Sequence, residues 1–163
     1  MEIKEANLLT ATEDYIVQQN SCVACKPQGL SYALVTAFPH ANPYKDRKPI
    51  KHGGNIAIEA DRAFPGTIII LGNGTNQRYV ACLFAQINNG KPGEVLDSAG
   101  DRERYFADCL ESLATQIPQS ATLAFPYKIG CGLAGGKWPR YETILKNWCV
   151  SHPTLRVSLY KIE

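Results

Sequence analysis

Apolar residues recur along this chain with two periods, and each predicts an element. Thr67–Leu71 and Tyr79–Gln86 are dense in β-branched and apolar residues, which predicts buried strands, and Gly72-Asn73-Gly74-Thr75-Asn76 between them is a hairpin turn signal. Tyr15–Gln19, Ala121–Phe125 and Leu155–Tyr160 predict further strands, with a weaker one at Ile3–Leu8. Helical spacing appears at Leu30–Phe38, which Pro39 stops, and at Asp101–Gln116, where Tyr105, Phe106, Cys109, Leu110 and Leu113 share a face. It appears again at Trp138–Val150, with Pro139 tolerated in the first turn. Residues 39–66 break both periods with four prolines and Gly53-Gly54, predicting a long surface excursion with a short strand at Asn55–Glu59. Strands alternating with helices predict an α/β fold, a sheet with helices on both faces, and such folds bind ligands where loops leave the carboxyl ends of strands. Asn20–Gly29 and Tyr127–Trp138 hold that position.

Composition narrows this further. With 45% apolar and 20% charged residues in 163, the chain fits one globular domain and is neither disordered nor collagen-like. No apolar run approaches the ~18 residues of a membrane span, so no membrane partner is expected. Seventeen Lys and Arg against fifteen Asp and Glu leave no general nucleic-acid footprint. The expectation is a monomeric domain of the cytoplasm, or of the nucleus in a eukaryote. The charges at Asp97, Asp101, Arg102, Glu103 and Arg104 are expected to be a solvated face at a helix start.

Two segments carry chemistry. Phe125–Trp138 places four glycines in seven residues between a strand and a helix. Glycines there let the backbone approach a ligand and aim amide N–H groups at it, and the helix adds its positive end, so an anion such as a diphosphate is the natural guest. Gly130-Cys131-Gly132-Leu133-Ala134-Gly135 spells the dinucleotide fingerprint, but that motif wants an acidic residue ~20 positions on and further strands, and the chain stops at Glu163. A Walker loop fails as well, since Cys131 is not glycine and Trp138 carries no hydroxyl. Cys22-Val23-Ala24-Cys25 opens other readings. Before a helix it could be a redox dithiol, and a thiol oxidoreductase using Cys22 and Cys25 is one alternative function. As a zinc site it lacks a second pair, and His40, His52 and His152 are scattered, so no metal and no cofactor is expected. Cys82, Cys109 and Cys149 lie in apolar stretches and are expected to be buried.

The Phe125–Trp138 segment resembles the F-P-x-x-I-G-C-G-L-x-x-x-x-W stretch of small macro domains, the ADP-ribose-binding modules. Ala6-Asn7-Leu8, Ala37-Phe38-Pro39, Leu83–Gln86 and Arg104-Tyr105-Phe106 resemble other parts of that family. The resemblance implies a three-layer α/β/α macro domain with a central mixed sheet, and ADP-ribose or an ADP-ribosylated substrate as partner. It implies that Gly130, Cys131, Gly132, Leu133, Ala134, Gly135 and Gly136 cradle the diphosphate, with Ile129 and Lys137 beside them as further ADP-ribose-binding residues. Asn20, Ser21, Gln28 and Gly29 would line the distal ribose, with Asn20 and Ser21 as the catalytic candidates. Asn7, Leu8 and Tyr160 would lie beside the adenine. The activity it implies is a hydrolase, an ADP-ribose-1''-phosphate phosphatase or an ADP-ribosyl hydrolase. The alternative is a non-catalytic reader of ADP-ribose. Departures bear on that choice. The first loop reads Pro27-Gln28-Gly29 where the family has small residues, and Ser21 stands at the usual Asn, with Asn20 one position early. Gln86 and Ala134 stand where one hydrolase subgroup has a lysine and an aspartate, and Lys137 stands where many relatives have an acid.

Overall fold

The computed structural model describes residues 1–162. Six strands form one sheet: β1 (Glu2–Glu5), β2 (Tyr15–Ser21), β3 (Ile68–Leu71), β4 (Tyr79–Gln86), β5 (Thr122–Pro126) and β6 (Arg156–Lys161). Three α-helices join them: α1 (Leu30–Ala37), α2 (Ala99–Gln116) and α3 (Trp138–Ser151). The strand order is β1-β6-β5-β2-β4-β3. Every neighbouring pair is parallel except β3–β4, the hairpin that the glycine-rich turn predicts.

Alternation along the strands builds two cores. Val17, Leu83, Leu123, Phe125 and Leu159 face α2 and α3, where Phe106, Leu110, Tyr141, Leu145 and Trp148 meet them. Their neighbours Ile16, Val80, Cys82, Ala124 and Tyr160 face the opposite layer, with Leu34 of α1, Leu8 and Ala41. Because both faces are covered, the central strands read as almost unbroken apolar runs. The result is the three-layer α/β/α arrangement with a mixed sheet.

Four expectations need correction. The Ile3–Leu8 strand ends at Glu5, and Asn7 instead caps a short 3-10 turn at Leu8–Thr10, its side chain accepting from the Leu9 amide. Residues 39–66 are more than surface decoration. Tyr44 and Ala57 are buried, the Ala57 amide donates to Val23 O, the Ala63 amide to Cys22 O, and Asn55 Oδ1 accepts from the amides of Cys25 and Lys26. These contacts join residues far apart in sequence, which local composition cannot register. The expected strand at 55–59 is a single antiparallel bridge, Pro49 to Ala57. Finally, the charge cluster at the start of α2 divides. Arg104 is exposed and Asp101 belongs to the capping box with Ser98, but Asp97 and Arg102 are each only 1% exposed and form an ion pair at 2.9 Å. Hydrogen bonds to both groups replace the water they lose.

Candidate functional site

The parallel strands send the loops after β2, β4 and β5 to one edge of the sheet, where they enclose a cleft of about 370 Å³. Gln19 and Ser21 of β2, Lys26, Gln28 and Gly29 of the first loop, and Leu30 and Ser31 of α1 form one side. Pro126–Gly130 and Gly132–Ala134 form the other; Tyr44, Gln86, Asn89 and Gly90 complete it.

The loop after β5 is shaped by its glycines for two different reasons. Gly130 has φ +76°, and a Cβ there would stand 2.6 Å from the Tyr141 ring and 2.8 Å from Gln19 Oε1. At Gly136 a Cβ would stand 2.5 Å from Gly130 O. Packing demands both glycines. Gly132 differs, since a Cβ there would meet nothing within 4 Å and would project into open space. Internal bonds fold the loop, with the Ile129 amide donating to Pro126 O, Cys131 to Lys128 O, Gly135 to Gly132 O and Gly136 to Gly130 O. Among the described residues, the amides of Gly130, Gly132, Leu133 and Ala134 donate to no protein acceptor. All four residues line the cleft, so its wall carries a run of open donors.

Across the cleft, α1 begins at Gly29 (φ +57°) with no side-chain cap, so its first-turn amides are also open. By contrast, the helix start at Ser98, away from the cleft, carries a full capping box. Leu133 leans over Gly29, so that a Cβ on Gly29 would stand 2.9 Å from Leu133 Cδ1. Lys26 and Lys128 line the cleft and no carboxylate does, among the described residues. Open amides, a helix N-terminus and two ammonium groups make the cleft a place for an anion.

No protein-family model matches the sequence, and no curated protein does. Solved structures do match in shape. The macrodomain of Mycobacterium tuberculosis DarG aligns with TM-score 0.74 at 17% identity, covering 99% of this chain and 97% of that one. The macrodomain of Thermus aquaticus DarG gives 0.71 at 19% identity, over 98% and 97%. Thermosipho africanus DarTG, solved in complex with ADP-ribose, gives 0.69 at 14% identity, over 97% of this chain and 40% of that one. The chain has the macrodomain fold.

Within this fold the residues expected at the site separate into groups. Ser21, Gln28, Gly29, Ile129, Gly130, Gly132, Leu133 and Ala134 are brought together on the cleft lining. Cys131, Gly135, Gly136 and Lys137 belong to the same loop but stand off the lining, and Lys137 precedes the first turn of α3. Asn20 is 1% exposed and turns toward the α1 layer, where its Nδ2 donates to Tyr44 Oη at 3.1 Å and to Ser31 Oγ at 3.5 Å. Asn7 caps its turn, Leu8 packs under α1, and the Tyr160 hydroxyl donates to buried Glu13; none of the three lines the cleft.

Lys26, Tyr44, Asn89 and Gly90 line the cleft without a sequence expectation for them, and so do Gln19 and Gln86, neither of which is among the residues expected to bind. Gln19 and Gln86 had a signal: polar residues closing apolar strands at the sheet's carboxyl edge. Gln19 Nε2 donates to Gln86 Oε1 at 2.9 Å, a neutral amide pair at the cleft floor. Tyr44 had none. Its hydroxyl accepts from Asn20 Nδ2 and from the Ser21 amide, and burial raises its pKa.

Burial works against thiol chemistry at Cys22. All six cysteines are free, Cys22 is 1% exposed, and burial pushes its thiol up to about 12. Such a group is protonated at neutral pH and a poor nucleophile. Cys131 is pushed up to about 11, again by burial. Cys82 and Cys109 are buried as expected, and Cys149 is half-buried. Among the described residues no three His, Cys, Asp or Glu side chains are grouped to hold a metal ion.

Proposed function

We propose that this macrodomain binds ADP-ribose, free or attached to another molecule, and holds it without hydrolysing it. The observation that carries this reading is the run of open amides at Gly130 and Gly132–Ala134, facing the uncapped start of α1 across a cleft lined by Lys26 and Lys128. A diphosphate is matched there by donors on both sides. A cavity of about 370 Å³ is within the usual ligand range of roughly 300–1,000 Å³. The ADP-ribose held by Thermosipho africanus DarTG supports the choice of nucleotide.

The choice of a reader over a hydrolase rests on what lines the cleft. Hydrolysis at a sugar or phosphate is accelerated by a side chain that takes or gives a proton at the attacking water or the leaving group. No carboxylate or imidazole is among the described lining residues. Ser21 Oγ is committed three times over, donating to Ile87 O at 2.8 Å and accepting from the amides of Val23 and Ala24 at 3.1 Å each. The Lys26 ammonium donates to Gly53 O at 2.6 Å.

Incubation with ADP-ribose-1''-phosphate and with an ADP-ribosylated peptide tests the second half of the proposal. Both are expected to bind and to be recovered intact. Release of phosphate or of free ADP-ribose, abolished by Gly132→Val, would restore the hydrolase reading.

A further inference from the structure

One buried group reaches both the loop after β4 and the loop after β5. Arg102 lies on α2, behind the cleft wall and 1% exposed. Its Nη1 donates to Gly90 O at 2.7 Å and to Ala134 O at 3.2 Å. Its Nη2 donates to Lys91 O at 3.1 Å and to Asn88 O at 3.3 Å. Nε and Nη2 also hold Asp97, each at 2.9 Å. Asp97 is fixed in turn, for its carboxylate accepts from the amides of Ile87 at 2.8 Å and Asn88 at 3.1 Å. All three nitrogens of the planar fork donate, a pattern that a single-point ammonium cannot reproduce.

These contacts have a direction. In a trans peptide the carbonyl and the following N–H point opposite ways. With Asn88 O drawn onto Arg102, the Asn89 amide turns away from the guanidinium, and Asn89 lines the cleft. Ala134 O is held by the same nitrogen that holds Gly90 O, and it closes the run of open amides that begins at Gly132. The two loops also pack directly, since a Cβ on Gly135 would stand 3.1 Å from Lys91 Cγ.

We propose that Arg102 is the positioning residue of this cleft: it joins the loops after β4 and β5 into one wall and so sets the Gly132–Ala134 amides against the ligand's diphosphate. Arg102 touches no ligand itself. The proposal rests on the ADP-ribose reading of the site.

The test uses the full chain with Arg102→Lys, and with the double change Asp97→Asn plus Arg102→Met in case the single variant does not fold. Hydrogen exchange is followed in the ligand-free proteins, and ADP-ribose affinity is measured well below each melting temperature. In the folded variants, exchange is expected to rise together in residues 88–93 and 131–136 while α1 keeps wild-type protection. ADP-ribose affinity is expected to fall roughly tenfold or more, as misplacement of a binding wall entails. An arginine that merely stabilised the fold would lower the melting temperature and leave the affinity of the folded protein unchanged. That result would overturn the proposal, as would faster exchange in only one of the loops. Failure of the wild type to bind ADP-ribose would overturn the reading of the site instead, and the exchange comparison would still decide whether Arg102 joins the loops.

Discussion

Gly130, Gly132 and Gly136 lie within seven positions, yet their substitutions separate folding from binding. A Cβ at Gly136 would collide with Gly130 O, so Gly136→Ala should cost about 1–3 kcal/mol, read as a shift of the urea midpoint. Gly132 has open space around it, so Gly132→Val should change stability by less than about 1 kcal/mol, a few degrees in melting temperature, while setting a branched side chain among the open amides of the cleft lining. The glycine surplus in the sequence pointed to a ligand, but only the structure says which glycine serves access. Cys22 makes a second residue-scale prediction. Its pKa of about 12 keeps the thiol neutral, so native protein at pH 8 should leave Cys22 unalkylated by iodoacetamide while urea-unfolded protein is labelled there. Rapid native labelling at Cys22, read by mass spectrometry, would reopen the dithiol reading.

Among the elements, α2 carries the most that the sequence concealed. Its apolar face was legible in the spacing of Phe106, Cys109, Leu110 and Leu113, all buried against the sheet. The Ser98–Asp101 capping box lies just before the predicted start, and Ser98→Ala should cost about 1 kcal/mol in thermal or urea melts. Asp97 and Arg102 were misassigned to solvent because a charged sequence usually lies there, and their partners come from loops elsewhere in the chain. Burial alone would raise the Asp97 pKa, but Arg102 and the amides of Ile87 and Asn88 outweigh it and hold the carboxyl below its usual value. A depressed carboxylate contributes stability above its unfolded pKa and loses it as pH falls through the lower folded value. Wild type should therefore lose this contribution only below about pH 4, the unfolded Asp range. Asp97→Asn should be destabilised at pH 7 and show a flatter dependence of urea midpoint on pH between 3 and 5. An equal pH dependence in both proteins would contradict this role.

At the scale of the molecule, strand and helix periods carried most of the fold, because burying both sheet faces leaves long apolar runs that composition displays directly. The cleft was legible where it is local: the loop after β5, Ser21, Gln28 and Gly29. It was not legible where long-range contacts make it. Tyr44 reaches β2 from the segment after α1, and the carbonyls of Asn88 and Gly90, on either side of Asn89, accept from Arg102 of α2. Asn20 was an expected site residue, but it lies on the face of β2 that points toward α1 and shares its bonds with Tyr44 and Ser31. We propose that the open amides around Gly132 bind the diphosphate of ADP-ribose. Calorimetric titration of ADP-ribose into wild type and into folded Gly132→Val tests it most directly. Saturable one-to-one binding is expected of the wild type and none of the variant. No binding by folded wild type, or equal binding by both, would contradict it.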